Sequence, residues 1–200
     1  MLTELYNRLF REGKWPKQWA SAAIVPLYKN NGGSKHNPTN YRGISIMSAV
    51  AKGMEIILNN RLQQSASDHG KISDLQGGFR RNRGTIDQLF ILNEIVHTRH
   101  KAGDTTYLAF IDVAKAYDRV WRPGLYLKLA RKGVRGWMHT MIRAMLANVQ
   151  RCVRINNNLT QSFVVGAGVP QGSVLSPFLY SIYIDGLHEE MEKHGYGVWV

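Results

Sequence analysis

Apolar residues recur at helical spacing from the first residues onward. Leu2, Leu5, Tyr6, Leu9 and Phe10 fall on one face, which predicts a short amphipathic helix over 2–12. Pro16 breaks the pattern. Residues 22–28 are a short apolar run containing Pro26, which predicts an edge strand, because proline cannot donate to a sheet ladder. Residues 29–40 read as loop by composition. The strongest helical pattern covers 45–65, with Met47, Val50, Met54, Ile57, Leu58 and Leu62 in phase. A polar, Gly-rich loop over 66–84 follows. Thr85 is then expected to cap a helix to about His100, with Leu89, Leu92, Ile95 and Val96 inward.

The second half alternates more quickly. Residues 105–112 read as a strand buried on both faces and ending in the carboxylate of Asp112. Pro123 suits a first helical turn, and Gly133 and Gly136 punctuate helices at about 124–132 and 137–148. Residues 151–155 and 161–165 flank Asn156, Asn157 and Asn158, a hairpin pattern. Residues 166–172 form a loop, 175–192 a helix with Pro177 in its first turn, and 196–200 a strand. An antiparallel hairpin with helices between strands and no repeated βαβ rhythm favours an α+β fold.

Composition narrows the class. Hydrophobic residues make up 44% of the 200, enough for a core. The net charge is +12, and residues 119–184 carry nine basic side chains and no acidic one, which points to a polyanionic partner such as nucleic acid phosphate. Cys152 is the only cysteine, so no disulfide framework within the chain and no Cys-based zinc site is expected, and a reducing, intracellular compartment fits. No apolar run approaches the roughly 18 residues of a membrane span, and none at the start reads as a secretory signal.

Three constellations could carry chemistry. Asp112, at the rim of a sheet, could hold a divalent cation through oxygen or cap the next helix. Asp118 lies six residues on and would not share a helical face with it, so the two do not read as an acid/base pair; a bond or salt bridge to an arginine suits Asp118 better. Gly166-Ala167-Gly168-Val169-Pro170-Gln171-Gly172-Ser173 could bring backbone close to a ligand ahead of a helix N-terminus, or could be a tight connection. Gln171 can both donate and accept, as a base edge or ribose requires. Basic residues in loops, namely Lys29, Lys35, Arg42 and the run Arg80-Arg81-Asn82-Arg83, suit phosphate or a solvated surface. A nucleophile elbow and a phosphate-binding P-loop are both missing, and His97 and His100 read as helix surface.

In order and spacing, five stretches resemble the reverse transcriptases of non-LTR (LINE-type) retrotransposons. They are Trp19-Ala20 with Ile24-Val25-Pro26-Leu27-Tyr28-Lys29, Asn40-Tyr41-Arg42-Gly43-Ile44-Ser45, Gln76-Gly77-Gly78-Phe79-Arg80, Phe110-Ile111-Asp112 with Lys115-Ala116-Tyr117-Asp118, and Gly168 to Pro177. Group II intron reverse transcriptases have similar motifs. The resemblance implies a right-hand polymerase fold, with residues 1–103 mostly fingers and 104–200 a partial palm whose sheet is incomplete. It implies an RNA template, a DNA primer, deoxynucleoside triphosphates and two Mg²⁺ ions. Asp112 would be the catalytic metal ligand, helped by the backbone carbonyl of Val113. Tyr117 would lie under the incoming sugar and reject a 2′-hydroxyl. Gln171 and Gly172 would face the nucleotide and primer–template. Lys29 and Arg42 would meet the triphosphate, and Arg80 the triphosphate or the template. The family's second metal motif, an aromatic-Ala-Asp-Asp turn, does not occur within these residues and is expected soon after residue 200; Gly43 stands where proline is usual. The alternative is a decayed or repurposed segment that grips nucleic acid without catalysis.

Overall fold

The computed structural model describes residues 1–195. The helix α1 (Leu2–Glu12) ends on Gly13 in the left-handed region, and α2 (Lys17–Ala20) follows Pro16. Strand β1 (Ser21–Tyr28) turns back through a loop into β2 (Tyr41–Ile46), with Tyr28 opposite Tyr41 and Ala23 opposite Ile46. The expected edge strand is therefore internal: β1 also pairs in parallel with β3 (Gln150–Ile155). That pairing stops at Ile24, so Pro26 sits where β1 has a neighbour on one side only, and no ladder bond is lost.

Helix α3 (Ala49–Asp68) starts four residues later than its periodicity suggested, because Ser45 and Ile46 are taken into β2. It buries Ala51, Met54, Glu55, Leu58, Leu62 and Ala66 along one stripe. Helix α4 (Thr85–Lys101) forms as expected, but its cap is not Thr85: the Gly84 N–H donates to the Asp87 carboxylate at 2.7 Å. None of its residues is buried, and Leu89, expected inward, is exposed.

The largest departure is at 105–112. These residues form no strand, and Tyr107, Phe110 and Ile111 are 92%, 83% and 75% exposed. Among the described residues no strand lies beside the segment to exchange hydrogen bonds with it, and an isolated strand has unpaired N–H and C=O groups along both edges. An irregular turn over 114–119 follows, with Lys115 at φ 53°.

Helices α5 (Arg122–Arg131) and α6 (Gly136–Leu146) match their pattern, and α5 packs on both α6 and α7 (Ser176–Ile184). The hairpin is tighter than expected. Asn156 and Asn157, both at positive φ, make a two-residue turn, and Asn158 already belongs to β4 (Asn158–Leu159). Further along, β5 (Phe163–Val164) returns to pair with β3. The helix expected over 175–192 is two, because Gly186 at φ 90° separates α7 from α8 (Leu187–Lys193). The strand expected at 196–200 lies outside the described residues. The architecture is mixed α and β around a partial sheet. One core joins α1, α3, α5, α6 and α7 through Tyr6, Leu58, Leu62, Leu125, Met141 and Leu179.

Candidate active site

Glycine geometry positions the loop that precedes α7. Gly168 has φ 77°, and its N–H donates to the Val120 carbonyl at 2.8 Å. The next amide, of Val169, donates to the Tyr117 carbonyl at 2.9 Å. A Cβ on Gly168 would come within 2.8 Å of that same oxygen, so only glycine lets the two backbones meet. At the far end, the Ser45 N–H of β2 donates to the Gln171 carbonyl at 2.7 Å. Gly172, at φ 121°, lies so close that a Cβ would sit 2.5 Å from the Ser45 carbonyl oxygen. The loop therefore bridges the 117–120 turn and the edge of β2.

Two buried charges hold this loop. Arg122 donates to four carbonyls: Gly168 (2.9 Å), Leu146 (2.7 Å), Val165 (2.8 Å) and Ala167 (3.0 Å). Burial pulls its guanidinium pKa down, and nearby Tyr126 opposes the shift. Glu55 accepts from the Ser173 hydroxyl at 2.8 Å and the Val174 N–H at 2.7 Å. Burial raises the Glu55 carboxyl pKa against these bonds and against the charge of Lys52. Neither residue was found by motif. The signal for Glu55 was available, since it sits on the same helical stripe as Ala51, Leu58 and Leu62. Arg122 gave none, because its four partners are backbone atoms far along the chain.

Tyr117 is half-buried, its ring 6.3 Å from Phe79 and 5.5 Å from Tyr180. Burial and the neighbouring Tyr180 both raise its hydroxyl pKa. Tyr180, itself buried, is raised by burial and then by the charge of Asp112. That places the exposed Asp112 within electrostatic reach of the aromatic cluster. Tyr180 was not anticipated, since its spacing in an apolar helix reads as core. Val113 is exposed beside Asp112, and Asp118 has no ion pair among the described residues, contrary to its expected role.

Lys29 and Arg42 lie on the β1–β2 hairpin. Arg42 is opposite Leu27, and Lys29 follows Leu27 by two residues, so both fall on one side of the ribbon. The Lys29 ammonium donates to the Thr39 carbonyl at 2.9 Å, while Arg42 is exposed with no side-chain partner among the described residues. Arg80 differs. Its guanidinium donates to the Ser73 carbonyl at 2.8 Å and, with Arg83, grips Asp74. The same loop docks on α7 just before Arg80, where the Ser181 hydroxyl donates to the Gly78 carbonyl at 3.2 Å.

The basic stretch 119–184 is less available than its charge suggested. Arg122 and Arg151 are buried on backbone carbonyls. Lys128 binds the carbonyls of Tyr183 and Asp185, and Lys132 pairs with the Asp185 carboxylate. Arg119, Arg131, Arg135, Arg143 and Arg154 remain exposed. Among the described residues, no group of three or more His, Cys, Asp or Glu side chains could hold a metal, and no helix is long and apolar enough to cross a membrane.

Comparison with known proteins gives the same direction. The family model described as "Reverse transcriptase (RNA-dependent DNA polymerase)" matches residues 29–198. The chain is 35% identical over 184 residues to the probable RNA-directed DNA polymerase from transposon BS of Drosophila melanogaster. It is 32% identical over 187 residues to that from the mobile element jockey of the same organism. Both alignments cover 91% of this chain and 20% of the relative, so the chain spans about a fifth of the length of these proteins. The Pol polyprotein of the type-1 retrotransposable element R2 of Popillia japonica is 28% identical over 88% of the chain and 24% of its own length. With the motifs, their order and a family match over most of its length, the chain belongs to the reverse transcriptase family.

Proposed function

We propose that these residues are the fingers (1–103) and part of the palm (from 104) of a retrotransposon RNA-directed DNA polymerase. The observation that carries this reading is the loop 168–172, bonded at one end to Tyr117 and Val120 and at the other to Ser45 of β2. It joins the segment bearing Asp112 and Tyr117 to the ribbon bearing Lys29 and Arg42. An RNA template, a DNA primer and deoxynucleoside triphosphates are the corresponding substrates. Relatives named as RNA-directed DNA polymerases of transposons support that choice.

Asp112 fits as one oxygen ligand of a hard cation such as Mg²⁺, with the Val113 carbonyl beside it. No group of three or more such ligands forms among the described residues, so Asp112 supplies part of a coordination shell. When bound, the two metal ions would activate the primer 3′-hydroxyl and stabilise the departing pyrophosphate. The chain's own residues bind and orient. Arg42, exposed and without a side-chain partner among the described residues, offers a planar fork to phosphate, and Lys29 a point charge on the same side of the ribbon. Tyr117, packed between Phe79 and Tyr180, is held in place to reject a ribose 2′-hydroxyl. Gln171 and Gly172 bring backbone and an amide side chain to the nucleotide. Arg80, engaged by Asp74 and Ser73, is assigned to shaping its loop before any contact with template or triphosphate.

Primer extension on an RNA template tests this. The polymerase containing these residues should extend a DNA primer with Mg²⁺, and Asp112→Ala should lower the rate by at least about a thousandfold, the order expected for removing a preorganised charge from the reacting centre. Its melting temperature should hold, because Asp112 is exposed. The 200 residues alone, with one carboxylate of the set, should give no extension. Extension by them that Asp112→Ala abolishes would refute their expected inactivity, and an Asp112→Ala polymerase with a normal rate would refute the assignment of Asp112.

A further inference from the structure

Glu55 is an acid on the apolar stripe of α3 with no exposure to solvent. Leucine or methionine would suit the position better, since a buried carboxylate is costly to desolvate. One of its oxygens, Oε1, has no hydrogen-bond partner among the described residues. The other, Oε2, accepts from the Ser173 hydroxyl and the Val174 N–H. Ser173 Oγ in turn accepts from the Leu175 N–H at 3.2 Å. All of the hydrogen bonding of this carboxylate is directed at the residues that follow Gln171-Gly172. Helix α7 begins there without a side-chain cap of its own, and a negative charge at that end also suits its dipole. The opposite side of the same turn is fixed by the Ser45 N–H bond to the Gln171 carbonyl. Between the two anchors lies Gly172 at φ 121°.

We propose that Glu55 is a positioning residue for nucleotide incorporation: from inside α3 it fixes the far side of the Gln171-Gly172 turn, so that the turn is held against β2 in one geometry. The proposal rests on the reading of this turn as facing the incoming nucleotide and primer–template. Glu55 is buried and acts only through the turn.

Two measurements separate the anchor from that reading. Amide hydrogen exchange in the 200-residue chain tests the anchor, using the Val165 amide, bonded to the Val149 carbonyl at 2.8 Å, as a remote reference. Glu55→Ala should reduce Ser45 amide protection relative to Val165 by roughly tenfold, the size of two lost hydrogen bonds at about threefold each. Glu55→Gln keeps an acceptor oxygen and should restore protection to within about twofold. Should Glu55→Ala fail to fold, Ser173→Ala removes one anchor bond and should still loosen Ser45 by about threefold on the same scale. Unchanged Ser45 protection in the folded variants would overturn the anchor. Kinetics in the polymerase containing these residues test the rest. Glu55→Ala should raise the KM for deoxynucleoside triphosphate about tenfold, with kcat within about threefold, as expected for lost orientation of a bound substrate, and Glu55→Gln should rescue it. Loosened Ser45 with an unchanged KM would overturn the link from turn to nucleotide. Absence of extension by the unmutated enzyme would instead refute the polymerase reading itself.

Discussion

Helices α3 and α4 have comparable length and both were legible from periodicity, yet α3 has six buried residues and α4 none. Ile86 and Phe90 of α4 are 80% and 64% exposed, while Met54 and Leu58 of α3 have no exposure. The difference lies in the neighbours. Helix α3 shares a core with α1, α5, α6 and α7, and Tyr6 of α1 donates to the Val50 carbonyl at 2.7 Å. Helix α4 depends on local features: Asp87, which caps its first turn, and Arg99 and Lys101 in its last, all favourable to the helix dipole. A 3.6-residue period therefore establishes that a face is apolar. It does not establish what covers that face.

The contrast can be broken most directly in the apolar stripes. Leu58→Ala should cost about 2–5 kcal/mol by denaturant unfolding, because it empties a closed site. Leu89→Ala on α4 should stay within about 0.5 kcal/mol, as befits an exposed position. Equal costs at the two sites would mean that α4 is packed in solution.

Two glycines sharpen the comparison at the level of the backbone. Gly103, just after α4, and Gly168, in the site loop, have nearly the same φ, 80° and 77°. A Cβ at Gly103 meets nothing within 4 Å, so Gly103→Ala should cost only the left-handed penalty, about 1 kcal/mol. A Cβ at Gly168 meets the Tyr117 and Asp118 backbone, so Gly168→Ala should cost about 1–3 kcal/mol more. Thermal melts of the two variants side by side would read the difference.

The smallest effect concerns the acid on the buried stripe. Burial raises the Glu55 carboxyl pKa above its ordinary 4.5, so the folded state binds a proton that the unfolded state releases. The contribution of that proton is complete below pH 4.5 and is lost as pH climbs through the raised folded value. Glu55→Gln lacks this loss. Its stability relative to the parent should therefore grow with pH over that window and then level off, as urea midpoints from pH 4 to 8 would show. A relative stability independent of pH would mean that the carboxylate is solvated.

Much of the candidate site was readable in sequence because its marks are local and chemical. The glycines at 168 and 172, the basic loop positions and the Asp112–Tyr117 pair are each defined within a few residues. The core stripe of α3, the helices α5 and α6 and the Asn-turn hairpin were readable for the same reason. Other features were hidden because they depend on contacts across the chain. Arg80 looked free and is engaged by Asp74; Pro26 looked like an edge and lies in an internal strand; 105–112 looked like a buried strand and is exposed. Four of the nine basic residues in 119–184 serve backbone carbonyls or Asp185, which no charge count reveals.

Sequence alone determined the helical and strand periodicities, the family motifs in their order, and the residue types able to touch phosphate, sugar and metal. These follow from side-chain chemistry and from φ/ψ preferences, which act over a few residues. The tertiary structure decided which apolar faces are covered, which charges are turned inward, and how the 168–172 loop is hung between Tyr117, Ser45 and Glu55. Those outcomes depend on hydrogen bonds between residues up to 131 positions apart. Only the folded chain brings such partners together, and burial then sets the strength of each bond.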